Sequence, residues 1–242
     1  MLQLKLEQKS IFESQYLREQ GKIVFEQMSV ANLIDHTILK PDCSLKEVQA
    51  LCKEAANHGF AAVCVPPFYV RESKNYLSDS EVKVATVIGF PMGYSGTAAK
   101  VEEIKRAIDD GADELDVVVN ICAIKSNNWN YVKNDIDSVT RACHLKGKVI
   151  KLIIETSLLS ENEIEKVCKV CIDSGVNFVK TSTGFQGGAT AEAVSLLRKI
   201  LPESIKIKAS GGIRTKEDAE KMISCGAERI GTSSGVSIVN VC

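Results

Sequence analysis

Two lysines lie in short apolar runs that break into turns rich in glycine and hydroxyl groups. One is Lys180, in Asn177-Phe178-Val179-Lys180-Thr181-Ser182-Thr183-Gly184. The other is Lys208, in Lys206-Ile207-Lys208-Ala209-Ser210-Gly211-Gly212. A lysine at the end of a buried strand must lose water or find a partner, and either changes its pKa. A lysine made neutral near physiological pH attacks a carbonyl carbon and forms an imine. A second ammonium one strand away favours the neutral form, so the pair points to amine chemistry on a carbonyl substrate.

Alternation along the runs says where these groups point, because successive strand side chains face opposite ways. Phe178, Lys180 and Ser182 share one face, opposite Val179; Lys206, Lys208 and Ser210 oppose Ile207 and Ala209. Asp116 and Asn120 oppose Leu115, Val117 and Val119, and Lys151 and Glu155 oppose Leu152 and Ile154. Cys64, in Ala61-Ala62-Val63-Cys64-Val65, also has inward parity, as a pocket or a core residue. Structural ion pairs plugging an interior are the alternative to catalysis here, since they perturb pKa values as well. The turns Ser210-Gly211-Gly212 and Gly231-Thr232-Ser233-Ser234-Gly235 add backbone N–H groups of the kind that bind phosphate.

The elements that must carry these residues repeat a simple rhythm. Strand-like runs at 33–38, 61–66, 83–90, 114–120, 149–156, 177–184, 206–212 and 229–235 alternate with helical patterns at 44–58, 97–110, 131–145, 160–174 and 216–225. Helix starts are signalled by Ser44 with Glu47, Ser160 with Glu163 and Thr215 with Asp218. Gly59, Gly111, Gly175 and Gly226 mark helix ends. Parallel strands with helical crossovers follow, and eight runs favour a closed (β/α)8 TIM barrel over an open doubly wound sheet. Apolar positions such as Ile11 and Leu17 suggest an N-terminal helical extension over 1–30 before a barrel domain over 31–242.

Composition narrows the class. The chain has 242 residues, 30 basic and 31 acidic side chains, and a net charge of -1, which recommends neither a nucleic acid nor a membrane surface as partner. The N-terminal segment is charged and has no apolar stretch of the signal-peptide kind, so a cytoplasmic location is expected. Nine scattered cysteines read as reduced thiols. Cys168 and Cys171 share a helical face with Ile164, Val167 and Ile172, which makes that CxxC a core feature. Trp129 and Tyr131 read as the packed start of a helix. His36, His58 and His144 are too dispersed for a zinc triad, so no metal and no cofactor is expected.

Together the motifs resemble the deoxyribose-phosphate aldolase family, whose members are imine-forming aldolases on a (β/α) barrel. The resemblance runs from about Leu33 to Val239. It rests on Leu33-Ile34-Asp35-His36-Thr37, Val87-Ile88-Gly89-Phe90-Pro91, Glu114-Leu115-Asp116, Ile153-Ile154-Glu155-Thr156, the two lysine motifs, and Gly231-Thr232-Ser233-Ser234. It implies that Lys180 forms the imine, that Lys208 depresses its pKa, and that Asp116 moves protons through water. It further implies that Asp35 and Lys151 are pocket residues, with Gly184, Gly211, Gly212, Ser233 and Ser234 as a phosphate cradle; Cys64 and Thr183 join them as substrate-binding candidates. The implied reaction is reversible cleavage of 2-deoxy-D-ribose 5-phosphate to acetaldehyde and D-glyceraldehyde 3-phosphate by a homodimer.

Some positions depart from the family pattern, namely Pro66, Cys122 and the Phe185-Gln186-Gly187-Gly188 loop. Some members use a C-terminal tyrosine; the last tyrosine here is Tyr131, so proton transfer is expected to rest on Asp116 and water. The same residues also suit an imine aldolase for another sugar, or a non-catalytic barrel that binds a phosphate ligand.

Overall fold

The computed structural model describes residues 30–240. The extension expected over 1–30 lies outside the described residues except for Val30, which opens a 3-10 turn at Val30–Leu33. Eight strands follow: β1 Ile34–Thr37, β2 Ala62–Val65, β3 Lys83–Ile88, β4 Glu114–Val118, β5 Val149–Ile153, β6 Phe178–Lys180, β7 Lys206–Ser210 and β8 Arg229–Thr232. They form a closed barrel in sequence order, with β1 parallel to both β2 and β8. The expected TIM barrel is therefore the observed fold.

Helices cross between the strands. They are α1 Leu45–His58, α2 Val70–Tyr76, α3 Thr97–Asp109, α4 Ile121–Lys125, α5 Trp129–His144, α6 Glu161–Ser174, α7 Ala191–Ile200, α8 Lys216–Ser224 and α9 Gly235–Val239. All three expected helix starts are reciprocal capping boxes, at Ser44/Glu47, Ser160/Glu163 and Thr215/Asp218. Each satisfies backbone donors that the first helical turn leaves over. Gly59 and Gly175 are left-handed caps at φ 65 and 69. Gly111 and Gly226 follow caps made by Asp110 and Cys225 instead.

The strands are shorter than the expected runs at their C-terminal ends. The run at 177–184 yields a strand of three residues, and 149–156 gives up its end to a 3-10 turn at Thr156–Leu158. The residues released there become the loops that surround the barrel mouth. In α6, Ile164, Val167, Cys168 and Cys171 are buried as expected, whereas Ile172 is 38% exposed and leaves that face. Trp129 opens α5, and both it and Tyr131 pack partly buried against the core.

Two cores result. The larger lies between strands and helices, where Leu115, Val117, Leu152, Val179, Ile207 and Ile230 are fully buried. Burying a side chain of this size contributes about 1.5–3 kcal/mol. A smaller cluster of Ala62, Cys64, Ala85 and Val87 fills the barrel interior beside β2 and β3. Toward β1 and β4 to β8 the interior is mixed, with Asp35, Asp116, Lys151, Lys180 and Lys208 buried beside Val118, Ile153 and Phe178.

Candidate active site

Register brings the charged residues together. Asp116 pairs across β4 and β5 with Lys151, and Lys180 pairs across β6 and β7 with Lys208. Because the strands alternate regularly, every one of these side chains enters the interior. Asp116 Oδ2 accepts hydrogen bonds from Lys180 Nζ at 2.8 Å and from Lys208 Nζ at 2.7 Å. Its other oxygen accepts from Lys151 Nζ at 2.9 Å. Lys208 also bonds Asp35, and Lys151 lies 3.3 Å from the same carboxylate.

Two residues that the sequence reading did not single out complete the network. Arg229 Nη1 donates to Asp35 Oδ1 at 2.6 Å and to Glu114 Oε2 at 3.2 Å. Glu114 also lies 2.5 Å from Lys151 Nζ. Both could have been found by parity, since Glu114 stands two residues before Asp116 and Arg229 two before Gly231. Four cations thus face three carboxylates, Asp35, Glu114 and Asp116. The set carries one positive charge too many when every group is ionised.

Lys180 is the member best placed to release it. Burial lowers the Lys180 pKa, the nearby Lys208 ammonium lowers it further, and together they outweigh the attraction of Asp116. For Lys208 burial acts the same way, but the attraction of Asp116 and Asp35 wins and its pKa is raised. Lys151 is raised well above the ordinary value, burial being overcome by Asp116, Asp35 and Glu114. Burial would raise the carboxyl pKa values of Asp116 and Asp35, yet the surrounding lysines hold both below the usual range. The interior is therefore a set of fixed charges with one amine poised to be neutral.

That amine also faces the open. A cavity of about 610 Å³ covers the C-terminal end of the barrel, and its walls include Lys180, Thr183, Gly184, Gly211, Gly212 and Ser233. Lys40, Arg214, Glu47 and Glu54 bring charges of both signs to the same walls, Lys40 lying 2.7 Å from Glu47. Asp35, Asp116, Lys151 and Lys208 are not in the walls; they are fully buried beneath. Cys64 is likewise below, inside the small apolar cluster, and burial raises its thiol pKa. Ser234 caps α9, donates its amide to Thr232 Oγ1 at 2.9 Å, and does not line the cavity.

Glycine makes the floor possible. Gly184, Gly211 and Gly212 have φ of 88, 86 and 80, a left-handed conformation that other residues adopt at a cost. Gly231 answers a different need: a Cβ there would lie 3.0 Å from Lys208 Cε and 2.8 Å from Ser210 Cβ. The bare strand lets the Lys208 side chain cross β8 toward Asp35. Of the histidines, His36 lines the cavity and bonds Glu54, while His58 stacks on Phe60 and His144 faces Asn177. Among the described residues no group of three or more His, Cys, Asp or Glu side chains is arranged to hold a metal ion.

Known proteins are similar to this chain along most of its length. A deoxyribose-phosphate aldolase from Thermococcus gammatolerans is 52% identical over 215 residues, covering 88% of this chain and 96% of the relative. One from Caldicellulosiruptor saccharolyticus is 51% identical over 213 residues, covering 87% and 97%. Among solved structures, the tetrameric deoxyribose phosphate aldolase of Aeropyrum pernix superposes with a TM-score of 0.82 at 32% identity, covering 87% of this chain and 89% of that one. The DeoC/LacD family aldolases match residues 29–239, and the chain belongs to that family of enzymes.

Proposed function

We propose that this aldolase reversibly cleaves 2-deoxy-D-ribose 5-phosphate to acetaldehyde and D-glyceraldehyde 3-phosphate through an imine at Lys180. One observation carries the reading: of the three interior lysines, Lys180 alone lines the cavity, and its pKa alone is lowered. A neutral amine attacks the C1 aldehyde of the open-chain sugar, and loss of water with uptake of one proton from solvent leaves a protonated imine. The proton of the C3 hydroxyl then passes to water held by Asp116, whose carboxyl is ionised. The C2–C3 bond breaks, its electron pair flowing into the imine to give an enamine, and D-glyceraldehyde 3-phosphate departs. Protonation of the enamine at C2 and hydrolysis release acetaldehyde and restore the amine.

The other residues fall into supporting roles. Lys208 and Lys151 keep Asp116 and Asp35 ionised and oriented. The backbone of Gly184, Gly211 and Gly212, with Ser233, offers the phosphate a seat, and Arg214 adds a cation to the same wall. Holding a phosphate remote from the broken bond positions the sugar and lends binding energy to the reacting end. Ser234 and Cys64, not being wall residues, would act through their neighbours.

Eight free cysteines among the described residues suit a reducing compartment, so a cytoplasmic location is part of this reading. No helix of the described residues is long and apolar enough to cross a membrane. A homo-oligomer built from dimers is the assembly proposed, in line with the tetramer of the Aeropyrum pernix relative.

The test is intact mass after incubation with acetaldehyde and borohydride, beside Lys180→Ala. One added ethyl group in the wild type, absent from the variant, is the expected result. An unlabelled wild type, under conditions that label another imine enzyme, would overturn the reading.

A further inference from the structure

Glu155 is a buried carboxylate that the chemistry above does not use. It follows β5, is fully buried, and has φ 54. Among the described residues the other non-glycine residue with positive φ is Asn127, a type that tolerates the left-handed region; glutamate does not. Strain of this kind persists where the surroundings require the side chain to be there.

The requirement is visible one strand away. Glu155 Oε2 accepts the Thr183 amide at 3.1 Å and also accepts the Thr183 hydroxyl. Oε1 has no hydrogen-bond partner among the described residues, so the bonds the structure gives this carboxylate all go to Thr183. Thr183 in turn accepts the Phe185 amide at its hydroxyl oxygen, at 3.1 Å. A hydroxyl has one proton and two lone pairs. Here the proton is spent on Glu155 and one lone pair on Phe185, so Thr183, a residue of the cavity wall, has a single lone pair left to offer.

We infer that Glu155 is a positioning residue that fixes Thr183 as a hydrogen-bond acceptor, and that Thr183 thereby selects substrates bearing a hydroxyl donor. The inference rests on the proposed reaction and deepens it. Open-chain 2-deoxyribose 5-phosphate carries hydroxyls at C3 and C4. The C3 hydroxyl loses its proton toward Asp116 during cleavage, which leaves the C4 hydroxyl as the donor that Thr183 reads. In the reverse direction that group is the 2-hydroxyl of D-glyceraldehyde 3-phosphate.

The experiment compares aldol addition of acetaldehyde to D-glyceraldehyde 3-phosphate and to 3-oxopropyl phosphate, which lacks that hydroxyl, as a ratio of kcat/KM values. The variants are Glu155→Asn, which suits the backbone but is one methylene too short to reach Thr183, and Glu155→Gln, which keeps an acceptor in place. The ratio should fall about tenfold in Glu155→Asn and stay within about threefold in Glu155→Gln, while acetaldehyde labelling of Lys180 persists in both. An unchanged ratio in Glu155→Asn overturns the inference, whatever happens to the absolute rates, because a merely structural role lowers both reactions together. If Glu155→Asn does not fold, Thr183→Val replaces it, with Thr183→Ser as the conservative control; a ratio kept by Thr183→Val overturns the inference equally. A wild type that acetaldehyde and borohydride leave unlabelled overturns the imine reading and this inference with it. A labelled wild type with an unmoved ratio overturns this inference alone.

Discussion

Lys180 and Lys208 share one carboxylate oxygen and are shifted in opposite directions. The difference comes from Asp35: Lys208 has it as a second anion, and Lys180 does not. Imine formation needs the neutral amine, so its rate should rise with pH through the lowered Lys180 value and level off below the 10.5 of an ordinary lysine. Replacing Lys208 by Met removes the nearby ammonium and leaves two carboxylates short of a partner. Lys180 is then held in its charged form, the inflection moves upward, and acetaldehyde trapping at neutral pH slows by about tenfold or more. Rapid-quench trapping across a pH series measures this; an unmoved inflection would show that burial alone sets the lysine. Both lysines and Asp116 were legible in the sequence, because a charge at inward parity in an apolar run is conspicuous. Glu114 and Arg229 were less so, for at strand starts a charge is ordinary. Cys64 shows the converse, since inward parity gives the direction of a side chain but not its depth in the barrel.

At the scale of elements, the sequence spoke clearly where a single residue does a local job. The capping boxes at Ser44, Ser160 and Thr215 need only a hydroxyl and an acid three residues on. Ser160→Ala should cost about 1 kcal/mol in a denaturant titration and leave catalysis untouched. The buried pair between α3 and α5 was not legible. Lys100 looks like a surface lysine on an amphipathic helix, yet it is wholly buried. Its Nζ donates to Asp135 at 2.7 Å and to the Val118 carbonyl at 2.9 Å. Thr97 Oγ1 donates to the other Asp135 oxygen at 2.7 Å. The pair exists because the end of β4 leaves a carbonyl that needs a donor, a demand set by tertiary packing. Lys100→Met strands a buried carboxylate and should destabilise the fold by about 3–5 kcal/mol. Adding Asp135→Leu should recover much of that loss. Equal stability of the single and double variants would contradict this account.

At the scale of the whole molecule, the interior network makes stability respond to pH through several groups and activity through Lys180. Asp35 and Asp116 have folded pKa values depressed below the 3.8 of the free carboxyl. Their contribution is therefore complete above that value and lost as pH falls through the depressed ones. Lys151 and Lys208 are raised above 10.5, so their contribution is complete below that value and lost as pH climbs beyond it. Lys180 runs the other way. With a folded pKa below its unfolded one, it opposes folding while it must carry a proton, and the penalty fades as pH rises through the lowered value. Between 3.8 and 10.5 the other four groups contribute a constant amount, so as pH rises through the lowered Lys180 value imine formation and stability should climb together. Asp35→Asn separates the two effects, for it removes the central partner of Lys208, Lys151 and Arg229 at every pH. Unfolding should become easier by about 3–5 kcal/mol at neutral pH. The acid limb should flatten by up to about 1.4 kcal/mol per pH unit, the slope of one lost proton linkage. Chemical denaturation at pH values from 2 to 7 tests both, and a variant that keeps the full acid slope would remove Asp35 from the groups that hold the barrel together in acid.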